Sequence, residues 1–175
     1  MSFLARLLGN AFSPGPDPRE AWRPLWQRVV GEARDPDWYR MCGVADTIEG
    51  RYDMITLVLS LVMLRLEDEA EMAPATARMT ELFAEDMEGQ LREAGIGDPT
   101  VGKKMSALMA SMNGRIGAYR DGLRGDPRVL VEAVRRNVTM AQSDEAEALV
   151  QRMAALNARL ARTTIEQMRK GEIAA

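Results

Sequence analysis

The feature that most constrains this chain is a long apolar periodicity of helical spacing, interrupted once by a short turn that bears glycine. Met79, Phe83, Met87 and Leu91 recur every fourth residue, and Leu82 and Ala94 widen the same stripe. That spacing is the mark of a helix with one apolar face. The turn reads Arg92-Glu93-Ala94-Gly95-Ile96-Gly97-Asp98-Pro99. Gly95 stands where a helix ends in the left-handed conformation, which a side chain would strain. Asp98 then offers a carboxylate to the open N–H groups of a new first turn, where Pro99 needs no partner. From there Val101, Met105, Leu108, Met112, Ile116, Tyr119 and Leu123 step by three or four residues. The pattern predicts a helical hairpin over residues 73–124, two amphipathic helices folded back on each other.

A second stretch sets the centre. Met54 to Leu64 is apolar throughout except for Thr56 and Ser60. At 1.5 Å per residue it is too short for a hydrocarbon layer, which needs roughly twenty residues. A helix apolar on every side is one that neighbours surround. The expectation is a central core helix over residues 53–66, capped by Asp53, after an irregular connection from Val44 to Tyr52. Asp-Pro occurs at residues 17–18, 35–36, 98–99 and 126–127, each a helix start. These open a helix bearing Trp22, Leu25, Trp26, Val29 and Val30, a brief one through Trp38 and Tyr39, the second arm of the hairpin, and one bearing Val129, Leu130, Val134 and Val138. A break over Asn137 to Ser143 precedes a last helix, started by Ser143, Asp144 and Glu145. Its stripe runs unbroken from Leu149 to Met168.

The fold expected is all-α: a single-domain helical bundle of about six to eight helices around the central helix and the hairpin. Residues 18–175 form that domain. Residues 1–17 form a short amphipathic segment, with Phe3, Leu4, Leu7, Leu8 and Phe12 beside Arg6, and a Pro/Gly linker. That segment is not a secretory signal, having one basic residue and no long apolar centre. It suits either weak binding to a membrane surface, or a helix docked on its own domain or frayed in solution.

Composition narrows the chemistry. There is no histidine and only one cysteine, Cys42, so a Ser–His or Cys–His pair and the usual zinc sets are excluded. A lone thiol suits the reducing cytoplasm. A net charge of −3 gives no general affinity for nucleic acid or anionic lipid. Charge is nonetheless polarised. Ten acids face three arginines between Arg65 and Asp98, and eight bases face three acids between Val101 and Met140. Gly95-Ile96-Gly97 lacks a preceding strand and reads as a helix connection rather than a nucleotide fingerprint. The 13 methionines are the informative excess. Those on the hairpin suit both core filling and a plastic groove for apolar segments.

Two stretches resemble a known family. Phe83, Asp86-Met87, Leu91-Arg92-Glu93, Gly95, Gly97-Asp98, Lys103 or Lys104, Gly114-Arg115 and Ala118-Tyr119 resemble the signature of the ubiquinol–cytochrome c chaperone family. Trp38-Tyr39, Gly43-Val44, Asp46-Thr47 and Gly50-Arg51-Tyr52-Asp53 resemble its other recurring segment, in matching order. Two positions depart from it: Tyr52 stands where Phe is expected, and Val58 where many relatives carry His.

The resemblance implies an assembly chaperone without enzymatic activity that binds newly made cytochrome b during assembly of respiratory complex III. It also implies no cofactor, no metal, no DNA and no small-molecule substrate. The ribosome and the inner-membrane surface are further candidate partners, and the location implied is cytoplasmic or peripheral at the inner membrane. The candidate client-binding residues are Met87, Leu91, Met105, Met109, Met112, Arg115 and Tyr119. Trp38, Tyr39, Asp46, Gly50, Arg51, Asp53, Arg92, Glu93, Gly95, Gly97 and Asp98 are expected to hold the fold. Two other classes remain open: an RNA- or ribosome-binding module using Lys103 to Arg136, and a small-molecule enzyme using Asp46, Arg51, Arg92, Glu93 and Asp98.

Overall fold

The computed structural model describes residues 15, 17–93, 95, 98–141 and 146–175. The amphipathic segment expected at residues 1–12, Gly97, the side chain of Asp98, and the helix start expected at Ser143 to Glu145 lie outside them. Eight α-helices occur among the described residues. They are α1 (Arg23–Ala33), α2 (Pro36–Arg40), α3 (Ile48–Glu67), α4 (Ala73–Glu93), α5 (Asp98–Arg124), α6 (Pro127–Asn137), α7 (Ala146–Arg162) and α8 (Ile165–Arg169). Short 3-10 turns at Glu20–Trp22 and Ala70–Met72 lead into α1 and α4. The all-α bundle follows from the periodicities. Two of the Asp-Pro starts work as the pattern predicts: the Asp35 carboxylate accepts from the Asp37 N–H and Asp126 from the Arg128 N–H, each with proline behind it in the first turn.

The central helix is longer than the sequence suggested and starts elsewhere. Thr47 is its N-cap, accepting from the Gly50 N–H at 3.1 Å. Asp53 is a buried residue inside the helix, not its cap. The start is hard to see because Glu49, Gly50 and Arg51 break the apolar pattern there, although charge in a first turn facing solvent costs little. Gly50 has its own reason: a Cβ at that position would collide with the Ala45 carbonyl oxygen of the incoming chain. Beyond Asp53, α3 is buried through Leu64, packed by α1, α4, α5 and α7. Each of its fully buried Leu, Ile, Val or Met side chains contributes about 1.5–3 kcal/mol. Its two hydroxyls turn back on the helix, Thr56 donating to the Asp53 carbonyl and Ser60 to the Thr56 carbonyl, so no polar atom of theirs is stranded.

The hairpin of α4 and α5 occupies residues 73–124 as expected, and Gly95 has φ of 78°, with its N–H bonded to the Arg92 carbonyl. The last helix, by contrast, is two. The chain breaks at Thr163 and Thr164, where Thr164 and Gln167 form a reciprocal capping box that starts α8. The apolar stripe runs on across the break because Met168 returns to the same core.

A seam closes the bundle. The Ala45 N–H donates to the Thr139 carbonyl at 2.9 Å and the Ala141 N–H to the Gly43 carbonyl at 2.8 Å. This ties the α2–α3 connection to the chain leaving α6. On the opposite side, α1, α2, α7 and the C-terminal tail are laced together. Glu32 bonds both Arg28 and Arg159, Arg152 meets Asp35 and Asp37, and the Trp38 indole N–H donates to the Glu32 carbonyl.

Candidate functional site

The first turns of α3, the last turns of α4, the middle of α5 and the end of α6 border a common concavity. Between them lies a cleft of about 830 Å³. Its lining is mostly apolar: Ile48, Tyr52 and Ile55 from α3, Met87 and Leu91 from α4, Leu108 from α5, and Val138 beyond α6. Ile48 is 85% exposed, an unusual position for so large an apolar side chain at the mouth of a cavity.

The buried charged part of the lining is Asp53 and Arg115, joined at 2.7 Å with side chains 7% and 11% exposed. The other Asp53 oxygen accepts from the Thr139 N–H at 2.8 Å and its hydroxyl at 2.7 Å. Arg115 donates also to the Thr56 hydroxyl at 2.8 Å and lies over the Tyr52 ring, 5.5 Å from its centre. One ion pair therefore joins α3, α5 and the chain beyond α6. Among the described residues, three buried polar atoms near this group have no hydrogen-bond partner: the Tyr52 and Tyr119 hydroxyls and the Arg115 Nε. Burial pushes both phenols above their ordinary range, and nearby Arg115 opposes the shift only in part.

Arg34, Glu49, Glu93 and Arg136 also line the cleft, and none forms an ion pair among the described residues. Arg51 does, with Asp46 at 2.7 Å, and that bond holds the Asp46 carboxyl below its ordinary range. A smaller lobe of about 420 Å³, lined by Arg23, Trp26, Leu82, Glu85, Asp86 and Gly89, shares Arg34, Gln90 and Glu93 with the main cleft.

The structure brings together only some of the residues singled out from sequence. Met87, Leu91 and Arg115 line the cleft. Met105 and Met109 are half-buried against the core outside it, while Met112 and Tyr119 are enclosed by the core. Of the family-motif residues, Trp38 and Tyr39 anchor α2 by bonds to the Glu32 and Ala33 carbonyls. Arg51, Asp53 and Glu93 face the cleft, and Arg92 pairs with Glu88 one turn back. Sequence reasoning missed Ile48, Tyr52, Ile55, Leu108, Arg34 and Arg136. Ile48, Tyr52 and Ile55 do follow a four-and-three spacing, which becomes visible once the helix is started at Thr47. Among the described residues no group of three His, Cys, Asp or Glu is placed to hold a metal ion, and no helix is long and apolar enough to cross a membrane.

An apolar cleft with a charged rim is the form of a binding site. The chain belongs to the ubiquinol-cytochrome C chaperone family, whose sequence model matches residues 40–175. Its fold is similar to that in the crystal structure of the Cbp3 homolog from Brucella abortus, with a TM-score of 0.77 and 27% sequence identity. That likeness covers 98% of this chain and 93% of the other. No curated protein gives a significant sequence match.

Proposed function

We propose that this protein is an assembly chaperone that holds newly made cytochrome b while respiratory complex III, ubiquinol–cytochrome c reductase, is put together. The cleft is the client site. Family membership supports the general role, and the cleft's apolar lining is the observation that supports its place. A client helix laying one side into such a groove removes its own apolar anchors from water. Each anchor the size of Leu or Phe contributes about 1.5–3 kcal/mol, whereas association costs roughly 4–15 kcal/mol. A few anchors therefore give a complex that can be released, as an assembly factor requires. The charges Arg34, Glu49, Glu93 and Arg136, which form no ion pair among the described residues, disfavour registers that would bury them without a partner. The reading places the chaperone in the cytoplasm, against the inner face of the membrane where the client is inserted.

The RNA-binding alternative has less to work with. Arg115, Arg120, Arg124, Arg128 and Arg135 all pair with acids of this chain, so most of the basic segment's charge is met internally.

The test is recovery of cytochrome b from membranes with the tagged protein under gentle crosslinking. Leu91→Glu is the informative variant, because Leu91 lines the cleft and is only half-buried, whereas Met109 does not line it. Loss of cytochrome b by a folded Leu91→Glu protein is expected. Normal recovery would move the client site off the cleft, and no recovery by the unaltered protein would remove cytochrome b as the client.

A further inference from the structure

The smaller lobe marks where the described chain comes in. Asp17 is held by Arg19 at 2.6 Å, and Arg19 reaches Glu85 of α4 at 3.2 Å. Glu85 lines the lobe, which adjoins the main cleft at Arg34, Gln90 and Glu93. From Glu85 to Leu91 is roughly 9 Å along α4, and the linker residues 13–16 can extend about 13 Å. The preceding twelve residues, MSFLARLLGNAF, are therefore tethered within reach of the cleft. Their content suits it. Phe3, Leu4, Leu7, Leu8 and Phe12 match an apolar lining, and Arg6 is the one charged side chain. On the cleft side, Glu93 and Asp86 line the lobe without an ion pair among the described residues.

We infer that residues 1–12 are an internal placeholder for the client: in its absence they occupy the cleft, with Arg6 toward Glu93 and Asp86, and a client must displace them. The inference rests on the cleft being the client site and adds a regulation of that site. A segment on a short linker competes at a millimolar effective concentration. If it fills the cleft nine-tenths of the time, apparent affinity for anything else falls about tenfold.

Two measurements test it. The first traps contact directly, in a protein carrying Cys42→Ala, Leu7→Cys and Leu91→Cys, under dilute oxidant. An intramolecular disulfide is expected at least ten times faster than for Leu7→Cys with Ala158→Cys, which is exposed on α7 outside the cleft. A rate no faster than this control overturns the inference, as does a disulfide that forms only between molecules. The second uses the native cysteine and removes residues 2–14. Affinity for the apolar dye 8-anilinonaphthalene-1-sulfonate should rise about tenfold, and an unchanged affinity overturns the inference. So does a slow disulfide in a protein whose residues 2–14 instead sediment it with phosphatidylglycerol vesicles, which would make the segment a lipid anchor. Neither measurement involves cytochrome b. Fast trapping with no client recovery would therefore remove the client assignment and leave the placeholder standing.

Discussion

The two sides of this bundle treat their polar and apolar groups differently. On the closed side, α1, α2 and α7 are joined by ion pairs and hydrogen bonds, and the charges named there find partners. Glu32 sits between Arg28 and Arg159, and Arg152 lies over the Trp38 ring at 4.5 Å while bonding two aspartates. On the open side four cleft-lining charges have no ion-pair partner among the described residues and Ile48 stands 85% exposed, while buried polar atoms without a described partner occur on both sides, the Tyr52 hydroxyl and Arg115 Nε here and Arg28 Nε there. A chain selected only for stability has no reason to gather four charges without a described partner around one apolar concavity. The contrast teaches that the open side is shaped for something that comes and goes.

Substitutions can break or sharpen that contrast. The largest effect is expected at the buried ion pair of the open side. Asp53→Ala leaves Arg115 buried and unpaired and frees Thr139, so stability should fall by about 3–5 kcal/mol, read as a shift of the urea midpoint. A midpoint near that of the unaltered protein would mean the pair does not hold the cleft together. On the closed side, Leu156→Ala should cost about 2–5 kcal/mol by leaving a cavity, with cytochrome b recovery by the remaining folded protein unchanged. Gly95→Val forces a β-branched side chain into a positive φ and should cost about 1 kcal/mol or more; circular dichroism against denaturant would show it.

Leu91→Ala reverses the pattern. Half-buried at the cleft, it should cost less than about 1 kcal/mol of stability, because water already reaches the site, yet reduce client recovery severalfold. Equal damage to folding and binding would make the cleft mere packing. The smallest effect is expected at Tyr119→Phe, which removes a core hydroxyl that has no partner; stability at pH 7 should change by less than about 0.5 kcal/mol. The same phenol titrates above its ordinary range because burial disfavours its anion. The unfolded chain therefore releases this proton first as pH rises, and stability drops above about pH 10. Tyr119→Phe should lessen that loss in urea midpoints compared at pH 8 and 10.5.

What could be read from sequence follows how local each cause is. The hairpin, its Gly95 turn and the Asp35 and Asp126 caps depend on residues a few positions apart, and all were legible. Thr164 and Gln167 also form a local signature, but the unbroken stripe from Leu149 to Met168 concealed it. Asp53 was expected to hold the fold from the family resemblance, but the way it does so could not be read from its neighbours. Its partners, Arg115 and Thr139, are 62 and 86 residues away, and a buried aspartate looks like a cap until those partners are known. The cleft is of the same kind: Leu91, Ile55 and Leu108 become one surface only when three helices are in place. Met112 and Tyr119 show the converse, since periodicity marks a face as apolar without saying whether a neighbour covers it.

The bond between Asp53 and Thr139 also fixes an order of events. It closes a loop of 86 residues, and drawing such ends together costs about 4 kcal/mol of chain entropy before any contact repays it. The α4–α5 hairpin closes over a far shorter distance and forms early. During synthesis, Thr139 and Val138 emerge only after all of α3, α4 and α5 have been made. One wall of the cleft therefore arrives last, and until then the molecule has a core but nothing with which to grip. The same long closure opens first when the protein loosens. The Ala45 and Ala141 amides should exchange with solvent sooner than those of α3, so the chaperone loses its hold before it loses its fold.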